Sequence, residues 1–163
     1  MDPFSRLFQL ITTTVPHNSR GLHVLDVGTK RWPRSGPTIF RTRFAQLGWS
    51  YIGLDIEAGD EVDIVTKDPY KYPFPDNSFD VVMSSMTLEH VVKPWLWFPE
   101  LKRICKTGGV IAISVPWKFK PHNSPDLWRV LPCGLESIYT ELGLTNLNTF
   151  RDEVYSYGIG RKQ

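Results

Sequence analysis

Two acids and a glycine in the first third of the chain suit the binding of a nucleoside. Asp26-Val27-Gly28 closes one apolar run, and Asp55 closes the next, 29 residues after Asp26. A glycine at a strand end lets backbone amides come close to a ligand. An acid at the end of the neighbouring strand can accept both hydroxyls of a ribose. The alternative for Asp55 is a turn residue or a cap for the segment that follows. Of the four histidines, His90 and His122 are placed for proton transfer near neutral pH. His90 follows Leu88-Glu89 just ahead of a helical pattern, where it either organises the loop or acts as a base. His122 lies between Pro116 and Arg129, in a segment that also carries Trp117, Asp126 and Trp128. It is either a base or acceptor contact, or an ordinary loop residue. Asp126 and Arg129 are spaced to pair and brace that segment. The two tryptophans either floor a pocket or serve as packing. His17 and His23 sit in or before the first strand, away from this group.

The elements that position these residues follow from periodicity. Leu22–Gly28 reads as a buried strand, followed by a loop from Thr29 to Gly36. Pro37 opens a helix with Phe40, Phe44 and Leu47 on one face, ended by Gly48. Tyr51–Asp55 and Val62–Val65 read as two more strands. Phe79–Ser84 reads as a fourth, after the turn Pro75–Ser78. A helix is predicted over Trp95–Cys105, with Pro99 breaking it or delaying its start. Gly108-Gly109 then releases Val110–Val115, apolar enough for a central parallel strand. Pro132 opens a last helix closed by Gly143, and the tail holds two short strands turning near Arg151-Asp152. Strands alternating with helices predict one α/β domain over residues 1–163. Its sheet is doubly wound, Rossmann-like and mostly parallel, with abbreviated C-terminal strands. Ligands of such sheets bind at the carboxyl ends of the strands, which makes Gly28, Asp55, Ser84 and Pro116 the rim. Phe4, Leu7, Phe8, Leu10 and Ile11 form an amphipathic helix within residues 1–20. It is expected as a lid over the core at 21–163, or as a face for a partner.

Several segments carry a resemblance in order and spacing. They are Val24–Gly28, Gly53-Leu54-Asp55-Ile56, Tyr72-Pro73-Phe74-Pro75-Asp76-Asn77-Ser78-Phe79-Asp80-Val81-Val82, Leu88-Glu89-His90-Val91 and Glu100–Gly109. Together they closely resemble the class I S-adenosylmethionine-dependent methyltransferases, and more narrowly the small-molecule group called type 11. The resemblance runs from about Leu22 to Leu144. It implies the class I methyltransferase fold and S-adenosylmethionine as cofactor. Asp26 and Gly28 would then lie in the cofactor motif, with Gly28 and its loop facing the methionine part. Asp55 would hold the ribose and Ile56 would pack on the adenine. Asp68, before Pro69, would contact the adenine amino group. Ser84 and Ser85 would lie along the cofactor beside the reacting centre, or form only a strand-end turn. The chain departs from the family where Lys30 and Trp32 replace its second and third glycines. Lys30, Arg31 and Arg34 either attract the cofactor carboxylate or form a solvated basic loop.

Composition narrows the function further. Hydrophobic residues make up 41% and charged residues 22% of 163 residues, an average globular balance that argues against disorder. The net charge is only +2 and no long run of like charge occurs, so no nucleic-acid partner is expected. Ser84-Ser85-Met86-Thr87 also lacks the Asn/Asp-Pro-Pro-aromatic clamp of amino-group methylation. Cys105 and Cys133 have no CxxC partner, so neither a disulfide framework nor a metal site is expected. No apolar run reaches membrane length, and residues 1–6 lack a secretion pattern, so a cytoplasmic location is expected. Gly28-Thr29-Lys30 lacks the fingerprint of a nicotinamide dehydrogenase. The leading expectation is O-methylation of a small molecule such as a saccharide or secondary metabolite, with His122 or His90 as base. The alternative is a non-catalytic S-adenosylmethionine-binding module that needs a partner. A short lid would leave room for a homodimer.

Overall fold

β1 (His23–Val27) lies inside the sheet, parallel to β2 (Ser50–Asp55) on one side and β4 (Phe79–Ser85) on the other. The computed structural model describes residues 2–16, 19–30, 40–122 and 125–163. The expectations for His17, Arg31, Trp32, Arg34, Gly36 and Pro37 lie outside the described residues. β3 (Ile64–Val65) extends the sheet beyond β2, and β5 (Cys105–Pro116) runs parallel to β4. β7 (Tyr155–Lys162) enters between β5 and β6 (Leu144–Arg151), antiparallel to both. The order of the seven strands is β3-β2-β1-β4-β5-β7-β6. The chain winds outward from β1 to β3, then returns to the other side of β1. That reversal opens a crevice at the carboxyl ends of β1 and β4.

Strand alternation sends Val24, Val81, Met83, Val110 and Ala112 to one face of the sheet. Leu25, Val27, Val82, Ile111, Ile113 and Val115 go to the other. Because helices cover both faces, these strands read in sequence as nearly unbroken apolar runs. α1 (Pro3–Thr14) and α2 (Phe40–Gln46) lie on the first face, and α3 (Pro94–Ile104) and α4 (Pro132–Glu141) on the second.

Four details differ from the expectations. α1 is not a lid: Leu7 and Ile11 are wholly buried against the sheet, and Phe4 and Phe8 meet Phe40 and Phe44 of α2. Its apolar stripe is used by the core, and Asp2 caps its start through Ser5 N–H. α3 runs unbroken through Pro99. The carbonyl left without a donor belongs to Trp95, which is exposed to water, as is Pro99 itself. α3 passes directly into β5 at Cys105, and an irregularity in the β4–β5 pairing absorbs residues up to Gly109. The C-terminal strands, expected to be abbreviated, are eight residues each and form a full hairpin.

Candidate active site

At the carboxyl end of β2, Asp55 Oδ2 accepts the backbone N–H of Lys30 at 2.8 Å, and Oδ1 accepts that of Glu57 at 3.1 Å. Each carboxylate oxygen keeps a second lone pair, so the cap and a ribose contact are compatible. Ile56, next in the chain, is 57% exposed, an apolar surface at a strand end that suits the flat face of a base. Lys30 Nζ pairs with Glu57 beside it. The loop from Glu57 to Val62 is pinned under β2. Arg41 of α2 bonds Glu61 and Asp63, and Asp63 Oδ2 accepts Gly53 N–H at 2.7 Å. A side chain on Gly53 would strike the Glu61 carbonyl, 2.1 Å from the added carbon. Asp68 sits farther along this edge. It accepts Tyr70 N–H at 2.8 Å, in a turn that leaves Asp68 and Pro69 exposed.

The other donor-side residues are committed to the scaffold. Gly28 has φ +84° and gives its N–H to the Leu54 carbonyl; the space where its side chain would stand is filled by Thr87. Asp26 is buried and accepts the Tyr51 hydroxyl at 2.7 Å. Burial, then the neighbouring Asp26 charge, pushes the Tyr51 hydroxyl above its ordinary range. The two serines correct an expectation. Ser84 donates to the Val27 carbonyl at 2.6 Å, and Ser85 shares a 2.7 Å hydrogen bond with Ser114. Both are buried, so their hydroxyls stitch β1, β4 and β5 instead of facing the crevice.

Past β4, Met86 takes φ +58°, a region that bulky side chains avoid. This turn leads into a short 3-10 helix, Leu88–His90. Glu89 is wholly buried, and neither carboxylate oxygen has a hydrogen-bond partner among the described residues. Burial pushes its carboxyl up to about 7. The segment after β5 docks on this helix. Leu127 N–H bonds the Glu89 carbonyl at 2.7 Å, Trp128 Nε1 bonds the Val91 carbonyl at 2.7 Å, and His90 Nδ1 meets the Pro125 carbonyl. His122 Nδ1 lies 3.0 Å from Asp126 Oδ2, and the rings of His90 and His122 meet edge-on at 5.0 Å. Arg129 clamps Asp126 through two bonds, of 2.5 and 2.8 Å. Those bonds hold the Asp126 carboxyl well below the usual carboxylate range. Both tryptophans are half-buried and bonded to the backbone; Trp117 donates to the Asp152 carbonyl and stacks under Arg151.

Comparison with known proteins places this geometry. A family model described as "Methyltransferase domain" matches residues 35–113. An uncharacterized methyltransferase of Mycolicibacterium gilvum is 29% identical over 124 residues, 69% of this chain and 46% of that protein. The chain therefore spans less than half the length of this curated relative. The 1,6-didemethyltoxoflavin-N1-methyltransferase of Burkholderia thailandensis was solved with bound 1,6-didemethyltoxoflavin and S-adenosylhomocysteine. It superposes with TM-score 0.76 at 16% identity, over 99% of this chain and 78% of that one. The [4+2]-cyclase SpnF shares the fold at TM-score 0.74 and 17% identity, over 96% and 80% of the two chains. The fold is that of the class I methyltransferases, and residues 35–113 match the methyltransferase-domain model.

Within this fold, the structure gathers the predicted residues into two groups. Asp55, Ile56 and Gly28 line the β1–β2 end of the crevice. His90 and His122, 32 residues apart in sequence, become neighbours at the β4–β5 end. Sequence reasoning passed over Glu89 and Thr87. An acid next to a histidine was the only available signal for Glu89, since burial without a partner is a tertiary property. Among the described residues, no helix is long and apolar enough to cross a membrane.

Proposed function

We propose that the chain is an S-adenosylmethionine-dependent methyltransferase that methylates a hydroxyl of a small molecule such as a saccharide or secondary metabolite. The observation that carries this reading is Asp55, its carboxylate held at the end of β2 with each oxygen accepting one backbone N–H among the described residues and exposed Ile56 beside it. That arrangement suits an adenosine laid across the carboxyl edge of the sheet. When bound, the donor supplies a methyl group already activated by its sulfonium. The chain then needs to hold an oxygen nucleophile in line with the methyl–sulfur bond and to keep water out. Glu89, His90 and His122 provide the place where an acceptor hydroxyl would lose its proton. Both cysteines are free, which suits a reducing cytoplasm.

Because the same fold serves a cyclase, the test must read methyl transfer itself. Calorimetric titration with S-adenosylmethionine should show one site. Asp55→Asn, which keeps the shape but loses the charge, should weaken it about 10- to 150-fold, the equivalent of one charge-assisted hydrogen bond. S-adenosylhomocysteine should then form with a matching hydroxylated acceptor. Absent donor binding, or unchanged affinity in the variant, would reject the assignment.

A further inference from the structure

The cluster at the β4–β5 end has the makings of more than a proton acceptor. A wholly buried carboxylate without hydrogen-bond donors is costly and calls for a counter-charge. Glu89 has no such donor among the described residues. Arg129, the cation beside it, is committed to Asp126. His90 Nε2 is the group within reach, 4.0 Å from Glu89 Oε1.

Both imidazoles are oriented by what they touch. The Pro125 carbonyl can only accept, so His90 Nδ1 carries a proton, and in the neutral ring Nε2 offers a lone pair. The Arg129-paired carboxylate of Asp126 does the same for His122. A ring N–H given to a carbonyl or carboxylate, with the other nitrogen bare, is the arrangement that orients metal-ligating histidines. One ligand atom from each of Glu89, His90 and His122 lies within 4.8 Å of the others. A tetrahedral zinc shell needs about 3.3 Å between ligand atoms, from bonds near 2.0–2.1 Å. Side-chain torsions can close that difference, since both histidine side chains are 27% exposed and have room to turn.

We propose that Glu89, His90 and His122 bind a divalent transition-metal ion of the zinc and cobalt class, with Asp126 and the Pro125 carbonyl as positioning groups. Two imidazole nitrogens and one carboxylate favour such ions over magnesium or calcium, which take all-oxygen shells. Three protein ligands leave a coordination position open. The proposal runs against the expectation of no metal site, which rested on cysteine spacing. The site stands on its own geometry; its role rests on the methyl-transfer reading. An acceptor hydroxyl bound at the open position is acidified and releases its proton to water. The alkoxide oxygen then bonds the methyl carbon as the methyl–sulfur bond breaks, its electron pair staying on sulfur.

The test uses the full chain, stripped by a chelator and titrated with Co²⁺ under visible absorption, without the methyl donor. One Co²⁺ per chain is expected, displaced by Zn²⁺. His90→Ala combined with His122→Ala should abolish saturable binding, and Glu89→Gln should weaken it. Asp126→Asn should lower affinity about 10- to 100-fold. His23→Ala, at the far end of β1, should leave it unchanged, and thermal melts confirm that each variant folds. No saturable binding to the native chain, or binding that survives the double histidine variant, overturns the proposal. Calorimetry with S-adenosylmethionine on the stripped protein separates the two readings. Donor binding without Co²⁺ binding sinks the ion site alone, and the converse sinks the methyl-transfer reading alone.

Discussion

Gly28 shows how a single position carries both scaffold and site. Its φ of +84° is one that L-residues reach at a cost of about 1 kcal/mol, and an added Cβ would lie 2.2 Å from Thr87 Oγ1. Gly28→Ala should therefore destabilise the domain by roughly 2–4 kcal/mol, the backbone cost plus overpacking. Adding Thr87→Ala should recover the overpacking part and leave the backbone part, which urea melts of the single and double variants would resolve. The sequence marks Gly28 as a strand-end glycine but not what stands opposite it, because Thr87 is 59 residues away. The same limit applies to Ser84 and Ser85, whose hydroxyls are spent on neighbouring strands. It applies again to Glu89, whose neighbours Leu127 and His122 come from the segment after β5. The place of Asp55 was legible because it depends only on the end of its own strand.

The β6–β7 hairpin turns on Asp152. Its Oδ1 accepts the N–H groups of Val154 and Tyr155 at 2.9 and 2.8 Å, and Oδ2 accepts the Tyr157 hydroxyl at 2.8 Å. Arg6 reaches the same carboxylate from α1, at 3.3 Å. Burial alone would raise this carboxyl, but the donors together outweigh it and hold it below its ordinary 3.8. A depressed folded-state value means the stabilisation is fully present above the unfolded value and is lost as pH falls through the folded one. Asp152→Ala should cost about 2–4 kcal/mol near neutral pH. The gap between variant and native chain should narrow only below about pH 3.8, as denaturant melts across pH would show. This turn was legible from Arg151-Asp152, yet the strand lengths were not. β6 is largely polar and half exposed, so no apolar run marks its extent. α3 was legible in the same partial way, since Pro99 signals a lost donor but not that the helix runs on through it, with Trp95 exposed.

At the scale of the molecule, the order β3-β2-β1-β4-β5-β7-β6 leaves two sheet faces to cover, and α1 is a full member of one of those layers. The amphipathic stripe of α1 was plain in the sequence, but its destination was not, because a stripe reports that something is covered and not what. In the fold, Ile11 and Leu7 are wholly buried in a cluster that joins α1 and α2 to β1, β4, β5 and β7. Through Arg6 and Asp152, α1 is also tied to the hairpin that closes the sheet. A lid would tolerate loss of a single apolar contact, since its removal leaves the core intact. A core helix would not. Ile11→Ala should cost roughly 2–5 kcal/mol, as for other buried large-to-alanine changes. In a domain of this size, that lowers the melting temperature by at least about 4 °C. Donor affinity measured below the transition should stay at the native value, because the cluster around Ile11 does not include Asp55 or Ile56. A lid predicts the reverse pattern, weakened donor binding with an unchanged melt, so calorimetry and thermal unfolding of this one variant distinguish the two roles.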